Sequence, residues 1–77
     1  MSQIISLAMV SPGKTVQVVG VRFGWGLQKK LADMGLTPGV TVRVLNNQIA
    51  GPVIIDLRGS RLALGRGMTQ RVLVKEL

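Results

Sequence analysis

The chain is written in short alternations of apolar and polar residues, broken by glycine and proline. Val40, Val42 and Val44 alternate with Thr41 and Arg43, the period of a half-buried strand. Val53, Ile55 and Leu57 alternate in the same way with Ile54, Asp56 and Arg58, and Val72 and Val74 with Arg71 and Leu73. Leu62 and Leu64 predict a very short strand after a turn at Arg58-Gly59-Ser60. Val16 and Val18 alternate about Gln17, but Val19 and Val21 continue in the opposite phase. That change predicts a bulge near Gly20, or burial of both faces. The first ten residues are apolar without a clear period, and Ile4, Ile5, Leu7 and Met9 are expected to cover one side of the core.

One stretch has the period of a helix. Leu27, Leu31 and Met34 fall at i, i+4 and i+7, with Gln28, Lys29, Lys30 and Asp33 on the other face. Gly24 and Gly26 weaken its beginning, so the helix is predicted to start near Trp25. Gly35 stands where a left-handed helix cap costs little, and Pro38-Gly39 suits the centre of a type II turn. A faint echo joins Ser11 to Val19 with Thr37 to Leu45: each is a Pro-Gly turn feeding a strand. Two such copies are read as reuse of one local solution. The fold class predicted is mainly β, a small SH3-like antiparallel β-barrel with one short α-helix, because closure leaves few open edges.

The chain has 77 residues, enough for one small domain over 1–77. It has no cysteine, so no disulfide framework is available, and this fits a reducing cytosol. No apolar run reaches the roughly 20 residues of a membrane span. The N-terminus lacks a basic region followed by a continuous apolar core, so no signal peptide is expected. The expected location is cytoplasmic, or at the cytosolic face of the inner membrane. Ten basic residues against three acidic ones give a net charge of +7. Such a balance points to an acidic partner (nucleic acid, an anionic membrane surface or an acidic protein face) or to a solvated surface that keeps an apolar domain soluble.

Catalytic chemistry is thinly provided. Histidine, cysteine and tyrosine are absent, so no Ser-His or Cys-His pair can form. Asp33, Asp56 and Glu76 are assigned to a helix, a strand and the tail, with nothing to bring two together. The same scarcity argues against a metal site or a bound cofactor. Gly13-Lys14-Thr15 looks like the end of a phosphate-binding loop. However, position 8 is Ala8 where glycine is needed, Pro12 removes an amide donor, and a strand follows. Gly24-Trp25-Gly26 lacks the third glycine of a dinucleotide motif. An enzyme is not expected.

Binding surfaces remain. If the alternating valines face inward, Leu45, Ile54 and Leu73 face outward, either as a partner patch or under the helix or N-terminal segment. Trp25 is the only tryptophan, fit for an interface or for burial against the barrel. Arg58, Arg61 and Arg66 surround a hairpin, where they could grip carboxylate or phosphate or be merely solvated. Lys29 and Lys30 mark a solvent face of the helix or a docking edge. The candidate partner-binding set is therefore Trp25, Lys29, Lys30, Leu45, Ile54, Arg58, Arg61 and Leu73.

The segment Leu31-x-x-Met34-Gly35-Leu36-x-Pro38-Gly39 with Val42-x-Val44 resembles the FeoA family of bacterial ferrous iron uptake. So do Gly51-Pro52-Val53, then Arg58-x-x-Arg61-Leu62-Ala63-Leu64-Gly65, and Leu7 with Pro12-Gly13 near the start. The resemblance covers nearly the whole chain. It implies an SH3-like barrel crossed by one helix, and a cytosolic accessory of the FeoB-type membrane transporter acting on its GTPase region. A similar domain forms the C-terminal part of iron-dependent repressors, so a nucleic-acid-binding or regulatory module is the alternative. The lack of a DNA-reading helix-turn-helix favours the accessory. Only Phe23 and Trp25 are available to stack on bases, which argues against single-strand binding. Attraction to the anionic inner leaflet is a weaker third reading, since the cations are scattered.

Overall fold

A computed structural model of the chain describes residues 3–22 and 24–77, Trp25 by its backbone. Among these residues six strands form one antiparallel sheet: β1 (Ile4–Ser6), β2 (Thr15–Val21), β3 (Thr41–Asn47), β4 (Val53–Leu57), β5 (Ser60–Leu64) and β6 (Val72–Glu76). Their order is β1-β6-β2-β3-β4-β5. Helix α1 (Trp25–Asp33) joins β2 to β3, a short helix α2 (Arg66–Thr69) joins β5 to β6, and a single 3-10 turn (Leu7–Met9) follows β1. The architecture is the expected SH3-like one, mainly antiparallel β with a short crossing helix. The sheet is not closed by hydrogen bonds, however: β1 and β5 are its two edges. Helix α2 was not legible, since four residues including Gly67 carry no helical period.

The alternation works as expected in the strands. Val16, Val42, Val44, Val53, Ile55, Val72 and Val74 all turn to one face and are buried there with Leu31 of α1 and Leu36 beyond it. The N-terminal segment covers the core less fully than its composition predicts. Leu7 and Val10 are buried and Ile5 is half-buried, but Ile4 and Met9 are exposed. The 3-10 turn explains the difference: it rotates Met9 away from the face that Leu7 fills.

The end of α1 is locked by its own backbone. The Leu36 amide donates to the Leu31 carbonyl (2.8 Å) and the Gly35 amide to Ala32 (3.0 Å), a Schellman arrangement. Gly35 has φ +89°, and the Leu31 and Leu36 side chains close the apolar contact that accompanies such a cap. Thr37 to Val40 then forms the predicted turn, with the Val40 amide donating to Thr37 (3.1 Å) and Gly39 at φ +95°.

Two bulges set the direction of the outer side chains. The pairing of β2 with β6 shifts between Val18 and Gly20, as the phase change predicts. A second shift, between Val44 and Asn46, breaks the pairing of β3 with β4. It makes Leu45 the extra residue and moves Asn47 into line with the inward-facing Val53.

Candidate partner-binding surface

The outer face of the sheet is built by strand register. Arg43 on β3 pairs with Asp56 on β4, and Asp56 pairs in turn with Arg61 on β5. Three charged residues thus stand in one row, a single carboxylate between two exposed guanidinium-bearing side chains. Among the described residues neither guanidinium makes an ion pair or hydrogen bond. The Asp56 carboxylate is used locally instead: its Oδ1 accepts the Gly59 amide at 2.8 Å. The two-residue turn Arg58-Gly59 places a third exposed arginine at the end of this hairpin. Arg58 has φ +53° and Gly59 +86°, the pair of positive values of a type I′ turn.

The apolar candidates do not join into one patch. Leu45, Ile54 and Leu73 are each half-buried. Ile54 lies between Asn46 and Ala63, next to the arginine row. Leu73 lies between Ser6 and Gly20 on β6, with β2 and β3 intervening before β4 is reached. At about 4.8 Å per strand that is roughly 14 Å away. Leu45 sits at the β3 bulge, so simple alternation, the reason for placing it outward, does not apply to it. Lys29 and Lys30 are exposed on α1, which packs on the opposite, core-facing side of the sheet. Trp25 opens α1, and its side chain lies outside the described residues.

Arg66 does not belong with the hairpin arginines. Its Nε donates to the Gly51 carbonyl (3.3 Å), and its Nη2 to Asn47 Oδ1 (2.8 Å) and to the Gln48 carbonyl. Asn47 continues the network, its amide nitrogen donating to the Ala8 and Val10 carbonyls at 2.8 Å each. The guanidinium is therefore a staple for the loop between β3 and β4, with its fork spent on carbonyl and amide oxygens. Arg43 is the arginine that sequence reasoning passed over. Its signal was present, since it holds the outward phase of β3 beside the buried Val42 and Val44. The Asn47 role carried no such signal, because it depends on the bulge.

The acidic residues are spread over the fold. Asp33 ends α1, Asp56 lies on β4 and Glu76 ends β6. The described residues include no helix long and apolar enough to cross a membrane.

A family model described as the FeoA domain matches residues 5–76. The chain belongs to the FeoA family. A protein of Methanocaldococcus jannaschii named as an Fe(2+) transport protein A is 37% identical over 70 residues, which span 91% of this chain and 84% of that protein. A crystal structure of an iron uptake regulatory protein, FeoA, is 39% identical, with a TM-score of 0.87 over 97% of this chain and 99% of its own. A FeoA-like protein of Clostridium acetobutylicum is 27% identical, with a TM-score of 0.85 over 100% of this chain and 91% of that one. A manganese-dependent transcriptional repressor shares the fold at a TM-score of 0.88. It is 20% identical, and the match takes in 100% of this chain and 44% of the repressor. The FeoA motif residues Gly35, Pro38 and Gly39 sit at the helix cap and the turn after it, where they shape the backbone.

Proposed function

We propose that this FeoA-family chain is a non-enzymatic cytosolic accessory of ferrous iron uptake that docks on the GTPase region of a FeoB-type transporter. The observation that carries the docking surface is the unengaged arginine row. Arg43 and Arg61 flank Asp56 across three strands, Arg58 projects from the adjoining turn, and Ile54 supplies an apolar contact beside them. Three guanidinium groups with free donors match carboxylates on an acidic protein face, and their positive potential speeds encounter with it. The family name supports the iron-transport setting. The lack of histidine, cysteine and tyrosine supports a role through binding.

The test is titration of the purified cytosolic region of a FeoB-type transporter with this chain, in GDP and in a non-hydrolysable GTP analogue. Saturable binding is expected in at least one nucleotide state. Reversing Arg43 and Arg61 together to Glu should weaken it about tenfold or more, as loss of close charge pairs does. No saturable binding in either state would end this reading.

A further inference from the structure

The staple formed by Arg66 and Asn47 holds up an unusual object. Ile49, at the tip of the loop it fixes, is 94% exposed. Met9, on the 3-10 turn that Asn47 binds through the Ala8 carbonyl within it and the Val10 carbonyl just after it, is 72% exposed. Ile4, at 55%, borders the same open cleft as Met9, Arg22, Arg66 and Gln70, and no acidic side chain lines that cleft. Isolated exposed aliphatics need no explanation. Here Ile4 and Met9 border one cleft with Arg22 and Arg66, Ile49 stands on the loop that Asn47 and Arg66 tie to that region by hydrogen bonds, and the whole chain carries a charge of +7.

We propose that this end is a membrane-contact tip for an anionic bilayer. Ile49 and Met9 enter the boundary between headgroups and acyl chains, and Arg22, whose side chain is exposed and without a partner among the described residues, meets lipid phosphate. The hydrogen bonds that hold the loop lower the ordering cost that an unsupported tip would meet on binding. The depth is shallow. Among the described residues no strand pairs with the free side of edge strand β1, and its backbone groups there must stay at headgroup level, where polar partners exist. The charge of the cleft decides for lipid: a neutral apolar pocket on a protein would match Ile49 and Met9 but gives no role to a cationic rim free of acids. The proposal stands apart from the arginine row on β3, β4 and β5, which shares no residue with it.

Co-sedimentation of the full chain with vesicles tests it. Vesicles of equal parts phosphatidylglycerol and phosphatidylcholine should retain the protein, pure phosphatidylcholine should not, and retention should fall with added salt. Ile49→Asp and Met9→Asp should each lower the partition coefficient about tenfold or more. Both sites are exposed, so circular dichroism should show folded variants. The charge control is Lys29→Glu with Lys30→Glu on α1, which should weaken retention less than Ile49→Asp does. The proposal is overturned if the anionic vesicles retain nothing. It is equally overturned if only charge reversal matters while Ile49→Asp and Met9→Asp bind as before. Loss of transporter binding or of self-association in the Ile49→Asp variant, without vesicle binding in the parent protein, assigns the tip to a protein contact and likewise overturns it.

Discussion

Val16 pairs across β2 and β3 with Val42, its own counterpart in the sequence echo. The relation extends outward in mirrored steps. The Gly13 amide donates to the Val44 carbonyl (2.7 Å) and the Gly39 amide to the Val18 carbonyl (2.8 Å). The Val44 amide donates to Lys14 (2.9 Å) and the Val18 amide to Val40 (2.8 Å). Each Pro-Gly turn therefore caps the strand that the other one feeds, and a local two-fold axis passes between the two valines. The echo is a structural symmetry of the central strand pair. Both valines are buried, at 0% and 1% exposure, so truncating either removes contacts from the same place. Val16→Ala and Val42→Ala should each cost roughly 1.5–3 kcal/mol. The double variant should fall short of or exceed the sum by about 0.5 kcal/mol or more, since neighbours in contact couple. Denaturant titration of the four proteins measures this; strict additivity would place the two side chains in independent environments.

Gly35 offers a sharper test of the helix cap. A Cβ there meets two penalties: φ is +89°, and the new carbon would lie 3.3 Å from Leu57 Cδ2. Gly35→Ala should lower stability by about 1–2 kcal/mol. For a chain of this size the melting temperature should drop by roughly 4–8 °C per kcal/mol. Gly26→Ala, in α1 with open space around the added carbon, is the comparison. It should be neutral or raise stability by up to about 1 kcal/mol. Equal losses at both positions would show that the cap conformation is not what Gly35 supplies.

These two cases show how much the sequence could tell. Turns were legible because glycine and proline announce backbone conformation directly, as at Gly35, Pro38-Gly39 and Arg58-Gly59. Strand faces were legible wherever alternation ran unbroken, as in Val53, Ile55 and Leu57. Legibility stopped at the β3 bulge. One extra residue reverses every later side chain, so the same letters, Leu45-Asn46-Asn47, read with the wrong phase from that point. The loss propagated to the surface. Alternation turns Leu45 outward, which its bulge position does not support, and gives no sign that Asn47 bonds to the N-terminal turn. Proximity in sequence groups Arg66 with Arg58 and Arg61, although tertiary hydrogen bonds give it a separate task. The arginine row itself needed register, because Arg43 and Arg61 meet only through β4.

The staple makes a prediction of its own. Arg66 joins the side-chain oxygen of Asn47 at the end of β3 and the Gln48 and Gly51 carbonyls of the loop after it, and Asn47 joins the Ala8 and Val10 carbonyls in and just after the Leu7–Met9 turn. Arg66→Lys keeps the charge but cannot reproduce the planar fork, so it should recover little of what Arg66→Ala loses. Both should destabilise by about 1–2 kcal/mol, the loss of charged hydrogen bonds to partly buried groups. Amide exchange should quicken first at Gly51, whose amide donates to Gln48 (3.2 Å) within the loop. Unchanged exchange at Gly51 in Arg66→Ala would show that the loop holds its shape alone.

Arg58 sets stability against binding. It is the one non-glycine residue at positive φ among those described, +53° at the first central position of a type I′ turn. Asparagine and glycine are the residues that this position favours, and an arginine there strains the backbone. Arg58→Asn should therefore stabilise the domain by about 0.5–1 kcal/mol, seen as a higher melting temperature. If the hairpin arginines dock the transporter, the same change should weaken binding to its cytosolic region while the fold gains. Such opposition is the signature of a residue kept for function at the expense of stability. A variant that is more stable and binds with full strength would remove Arg58 from the docking surface and leave Arg43 and Arg61 to carry it.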